Sequence, residues 1–181
     1  MKPAVFLDRD GVLVENIDGD YVRNKAQIKL LPFVNEAITR LSKRGYEIVI
    51  VTNQACVGKG FISIDDTWSI QNEVVNTLDP GSNLNIKSEL CPHLSDEGCE
   101  CRKPQPGMIL AAQKKYQLDL SKSYLVGDAI SDIQASITAG VQPIFVLTGR
   151  GKLSDLNGID ETVKVVDDIS DAAKYICGGQ G

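Results

Sequence analysis

The stretch AVFLDRDGVLVEN, residues 4–16, decides how this chain is read. Its apolar run, Ala4 to Leu7, reads as a buried strand, and the chain leaves that strand through Asp8 and Asp10, with Gly11 behind them. Carboxylates this close raise the cost of ionising each other. A cation, or a reaction, must want them there.

Outward from this stretch, strands and helices alternate. Pro32 to Arg44 reads as a helix, because Val34, Ala37, Ile38 and Leu41 recur at helical spacing and Gly45 supplies a stop. YEIVIV (46–51) reads as a second strand, followed by a helix from about Ser63, whose hydroxyl can cap a first turn carrying Asp65 and Asp66. IKSELC (86–91) reads as a strand, 107–116 as a helix, SYLVG (123–127) as a strand, and 131–139 as a helix closed by Gly140. PIFVL (143–147), VKVV (163–166) and a helix over 169–176 complete the pattern. The alternation predicts an α/β fold, a doubly wound, Rossmann-like parallel sheet with helices on both faces, because parallel strands need crossover connections. We expect one domain over 1–177 and a disordered tail at 178–181, GGQG.

Composition narrows the function. The chain has 181 residues, 43% of them hydrophobic, which is enough for one buried core. A net charge of −5 argues against a nucleic-acid or anionic-membrane surface, so small solutes are the expected partners. There is no 18-residue apolar stretch, and the apolar run at the N-terminus is too short for a signal segment, so a cytoplasmic location is expected. In that setting the five cysteines read as thiols or metal ligands; Cys91, Cys99 and Cys101 cluster, while Cys56 and Cys177 stand apart.

Open parallel sheets bind ligands beyond the carboxyl ends of their strands. That rule gathers Asp8 and Asp10, then TNQ (52–54), then Gly127 and Asp128 into one crevice. Asp8, Asp10 and Asp128 make a hard oxygen pocket suited to Mg²⁺. A single Asp after a strand is commonly only a cap or a turn residue. Three motifs on successive strand ends, D-x-D-G, T-N-Q and G-D-x-x-x-D, outweigh that reading.

Together these motifs resemble the haloacid-dehalogenase superfamily of aspartate-nucleophile phosphatases, from Val5 to about Gly151. The resemblance implies that Asp8 attacks phosphorus to give an aspartyl-phosphate and that Asp10 first protonates the leaving group and then activates water. It implies a phosphoryl-binding hydroxyl at Thr52, flanked by Asn53 and Gln54, and a phosphate-binding cation at Lys103. Mg²⁺ would sit on Asp8, Asp10 and Asp128, with Asp132 orienting the loop. Val12 departs from the threonine that many members carry after D-x-D-G.

Residues 91–108, CPHLSDEGCECRKPQPGM, contain C-x-H-x5-C-x-C. Cys91, His93, Cys99 and Cys101 supply three thiolates and one imidazole, a closed set of the structural zinc kind, although the pairs are tighter than the usual spacing and unligated thiols remain the alternative. This segment, with TNQ and VLTGRG (146–151), resembles the D-glycero-D-manno-heptose 1,7-bisphosphate 7-phosphatases. In that family the four residues bind Zn²⁺ and order the loop over 91–103 that carries Arg102 and Lys103 to substrate.

VGKG (57–60) lacks the first glycine and the hydroxyl residue of a Walker A loop and reads as a flexible glycine loop; the resemblance nevertheless puts Lys59 near the sugar phosphate. The helix around Trp68 reads as core. The inserts over 12–31 and 53–85 are too short for a cap domain, so a small, extended sugar phosphate is the expected substrate; a monomer is expected. Histidinol-phosphate phosphatases share most of these motifs, and a catalytically silent, zinc-stabilised binding module is the reading from another class. The pathway branch, lipopolysaccharide core or nucleotide-activated heptose, stays open.

Overall fold

Every residue of the opening strand is buried, as a strand covered on both faces requires. The computed structural model describes residues 1–157 and 163–178. Its strands are β1 (Ala4–Leu7), β2 (Glu47–Asn53), β3 (Lys87–Cys91), β4 (Tyr124–Gly127), β5 (Gln142–Val146) and β6 (Lys164–Val166). The helices are α1 (Val34–Lys43), α2 (Ile64–Leu78), α3 (Gly107–Tyr116), α4 (Ile130–Ala139) and α5 (Ile169–Ile176). Residues 179–181 of the expected tail lie outside the described residues.

Within the six-stranded sheet every pairing is parallel, in the order β3-β2-β1-β4-β5-β6. The alternation of side chains along β1 and β2 splits the core. Val5, Leu7, Ile48 and Ile50 face α1, α2 and α5, while Ala4, Phe6, Val49 and Val51 face α3 and α4. The first three strands wind outward in one direction and the last three in the other. The direction reverses between β1 and β4, which opens a crevice at their carboxyl ends.

Two boundaries differ from the sequence reading by two residues, the others by one at most. β2 runs on through Thr52 and Asn53, because both pair with β3 opposite Leu90 and Cys91. α1 begins at Val34, since Phe33 takes a left-handed conformation (φ 63°) that a right-handed helix cannot continue. Elsewhere local chemistry sets the ends: the Ser63 hydroxyl accepts from the Asp66 N–H (3.0 Å) at the start of α2, and Gly140 (φ 73°) closes α4. Residues 12–31 contribute a loop with one short turn (Lys25–Gln27), and 54–85 contribute a loop and α2. Among the described residues no cap domain covers the strand ends.

Candidate active site

A cleft of about 260 Å³ opens at the reversal point, lined by Asp8, Asp10, Thr52, Asn53, Arg102, Lys103, Asp128 and Asp132 among others. The sheet register builds it. Leu7 is level with Val126, the Asp8 N–H donates to the Val126 carbonyl (3.0 Å), and Asp8 and Asp128 thus leave adjacent strands side by side. Space here is tight enough to require glycine: a Cβ on Gly127 would overlap the Asp132 carboxylate, and one on Gly11 (φ 95°) would meet Asp128.

Asp8, Asp128 and Asp132 each offer a carboxylate oxygen within 4.8 Å of the others. Lys103 reaches into this cluster from the loop after β3. Its Nζ donates to Asp8 Oδ1 (2.8 Å) and to the Val51 carbonyl (2.8 Å), and lies 2.5 Å from Asp132 Oδ1 as an ion pair without hydrogen-bond alignment. Burial and the surrounding carboxylates of Asp132, Asp128 and Asp10 push the Asp8 carboxyl up to about 8, although Lys103 opposes the shift. Burial raises Asp128 as well, against the Arg150 N–H that donates to its Oδ2 (2.8 Å). Burial works against the Lys103 charge, but Asp132 and Asp8 more than reverse that and hold the ammonium well above its ordinary range. Three buried carboxylates around one ammonium leave excess negative charge, so the donor set fits a hard divalent cation such as Mg²⁺.

Asp10 lines the cleft, yet its carboxylate is turned out of that cluster. Arg9 holds it through Nε to Oδ1 (3.1 Å) and a terminal nitrogen to Oδ2 (2.8 Å), and Gln54 Nε2 donates to the same Oδ2 (2.8 Å). Asp132 occupies the position among the clustered acids that the sequence reading expected of the Asp10 carboxylate. Gln54, expected at the substrate, is fully buried and also donates to Thr52 Oγ1 (2.8 Å). Asn53 works as a clamp on the lysine loop: its Nδ2 donates to the Lys103 carbonyl (3.0 Å) and its Oδ1 accepts from the Lys103 N–H (3.0 Å). Lys59 lies outside the cleft lining. Its Nζ stands 5.1 Å from the ring centre of Tyr21, which does line the cleft, and 6.0 Å from that of Phe61.

Cys91, His93, Cys99 and Cys101 converge directly beyond β3. The Cys101 sulfur lies 3.0 Å from that of Cys91, 3.5 Å from that of Cys99 and 3.2 Å from His93 Nδ1, and Cys91 lies 3.7 Å from Cys99. A tetrahedral zinc–thiolate site has ligand–ligand edges of about 3.8 Å. The observed edges run from 3.0 to 3.7 Å, shorter than that but convergent on one point, and the three thiols and one imidazole are a donor set that suits such an ion. Burial and the Cys101 thiol raise Cys91, whereas the Arg102 N–H and the neighbouring sulfurs outweigh burial at Cys99 and lower it to about 7. Directly after this cluster, Arg102 donates to the His93 carbonyl (3.2 Å) and lines the cleft.

Comparison with known proteins agrees with this geometry. The HAD-hydrolase-like family model matches residues 100–172. D-glycero-beta-D-manno-heptose-1,7-bisphosphate 7-phosphatase from Pseudomonas putida is 34% identical over 95% of this chain and 98% of its own. The enzyme of that name from Haemophilus influenzae is 36% identical over 97% of each chain. The chain belongs to the heptose-bisphosphate phosphatase family. The crystal structure of the family's B. bronchiseptica member, complexed with magnesium and phosphate, superposes with a TM-score of 0.87 at 31% identity, covering 98% of this chain and 99% of that one.

Within the family fold, three contributors escaped the sequence reading. Arg9 is 1% exposed and is the largest fully buried side chain. Arg150 supplies the N–H on Asp128 and reaches back through its guanidinium to the carbonyls of Ile17 (2.6 Å) and Asp20 (3.1 Å). Asn16, Ile17, Asp20 and Tyr21, held by that reach, form one wall of the cleft. No residue type or spacing announces these contacts, because each depends on how a loop folds back.

Proposed function

We propose that this protein hydrolyses the 7-phosphate of D-glycero-D-manno-heptose 1,7-bisphosphate. The observation that carries the proposal is the Asp8–Lys103 pair at the base of a sheet-edge cleft, in a chain 34% identical to a heptose-bisphosphate phosphatase over nearly its whole length.

In this reading an Asp8 oxygen attacks phosphorus, the bond from phosphorus to the C7 oxygen breaks, and the departing oxygen takes its electron pair and a proton from Asp10. Asp10, now a carboxylate, then removes a proton from the water that attacks the aspartyl-phosphate, and inorganic phosphate leaves as the Asp8 carboxylate is regenerated. The Thr52 hydroxyl and the Lys103 ammonium hold the phosphoryl oxygens. Asp8 and Asp128 would hold Mg²⁺, which when bound supplies charge neutralisation between carboxylate and phosphate. The four-ligand Cys and His cluster would hold Zn²⁺ in a structural role, since a full ligand set leaves no open position for water.

Arg102 on the zinc loop and Lys59 behind Tyr21 are the candidate contacts for the rest of the bisphosphate. We further propose one phosphatase domain through residue 177, acting as a monomer in a reducing cytoplasm that would keep the thiols available to metal. Its supply role would lie in heptose metabolism, lipopolysaccharide precursors included.

The test is phosphate release with Mg²⁺ from both anomers of the heptose bisphosphate and from histidinol phosphate. A kcat/KM about a hundredfold higher for the β anomer, equivalent to about 2.7 kcal/mol, is expected. A preference for histidinol phosphate would overturn the substrate assignment, and inactivity on all three would favour the binding module.

A further inference from the structure

Gln54 and Arg9 are buried polar side chains that cannot reach substrate, yet they converge on two groups that the proposed reaction uses. A carboxylate only accepts hydrogen bonds, so the Gln54 amide must turn Nε2 toward Asp10 Oδ2 and leave Oε1 near the Cys56 thiol (3.6 Å). The same nitrogen donates to Thr52 Oγ1 (2.8 Å). Among the described residues the Thr52 hydroxyl has no acceptor for its own proton, so that proton is available to an oxygen in the cleft. On Asp10, Oδ2 receives two donors and Oδ1 only one. The less occupied Oδ1 therefore retains room for a transferable proton.

We infer that Gln54 and Arg9 are positioning residues, Gln54 aiming the Thr52 hydroxyl and, as the second donor on Oδ2, leaving Oδ1 to carry the Asp10 proton, and Arg9 holding both Asp10 oxygens in place. This rests on the proposed role of Asp10 as the group that protonates the leaving oxygen. Neither residue touches phosphate; both act through the groups they hold.

The consequence is selective. An alkyl phosphate needs a proton on its departing oxygen, whereas p-nitrophenolate leaves without one. The experiment compares kcat/KM for the heptose bisphosphate and for p-nitrophenyl phosphate at saturating Mg²⁺, in Gln54→Leu, Arg9→Lys, Asp10→Asn and Thr52→Val. Expected is a fall of about tenfold or more in the alkyl-to-aryl ratio for Gln54→Leu and Arg9→Lys, in the same direction as Asp10→Asn, with Thr52→Val lowering both substrates alike. Arg9→Lys keeps a buried cation and carries the test if Gln54→Leu does not fold. If Asp10→Asn shifts the ratio but the Gln54 and Arg9 variants lower both substrates equally or neither, the inference is overturned. If Asp10→Asn itself leaves the ratio unchanged, it is the acid role of Asp10 that fails.

Discussion

At the scale of single residues, the site is a problem of crowded charge with a lysine as partial answer. Asp8 is held up near 8 by burial and by the carboxylates around it, against an ordinary value of 3.8. Its proton-bound form therefore stabilises the fold below pH 3.8, and that stability is lost as pH rises through about 8 in the absence of Mg²⁺. Asp8→Asn imitates the protonated form. In Mg²⁺-free buffer the variant should gain melting temperature over the parent progressively as pH rises from below 4 to 8, with little difference only at the lower end; a gap that narrows with pH would contradict the charge assignment. The same substitution should lower phosphatase turnover by about a thousandfold or more if Asp8 forms the covalent bond. Residual turnover near the parent level would remove Asp8 as nucleophile.

At the scale of elements, the loop between β3 and α3 links the proposed zinc site to the reacting groups. It begins at Cys91 in the sheet, is clamped by Asn53 at Lys103, and ends where the Gly107 N–H donates to the Glu100 carbonyl (3.0 Å). Besides the Cys and His cluster, the loop is anchored by a few neutral hydrogen bonds, each worth about 1 kcal/mol, and by the Lys103 ammonium paired with Asp8 and Asp132. Cys99→Ser should therefore lower the melting temperature by about 5 °C or more and reduce kcat/KM through looser Arg102 and Lys103. Metal content measured alongside checks the cause: a variant that retains one zinc per chain and unchanged melting would sink the structural-zinc reading. The pattern C-x-H-x5-C-x-C was legible because its ligands lie within one loop. The clamp by Asn53 was not, since it joins residues 50 positions apart.

At the scale of the whole molecule, the strand reversal between β1 and β4 brings together acids that are 120 residues apart in the chain, Asp8 and Asp128. A cation that binds only this folded arrangement must stabilise it by mass action. Mg²⁺ at a hundred times its Kd should add about 2.7 kcal/mol, which calorimetry reads as a rise in melting temperature that Asp128→Asn largely abolishes. No shift in the parent, under conditions where zinc is retained, would show that the carboxylate cluster does not take Mg²⁺.

The sequence by itself determined the order of strands and helices, the doubly wound class, the acids at the strand ends and the Cys and His cluster. These features rest on local periodicity, capping and short-range spacing. The tertiary structure alone decided that the Asp10 carboxylate faces Arg9 and Gln54, that Asp132 joins Asp8 and Asp128, and that Arg150 ties the 16–21 wall to Asp128. Those contacts depend on strand register and on the return path of loops, quantities set by packing across the whole chain and invisible in any single stretch of it.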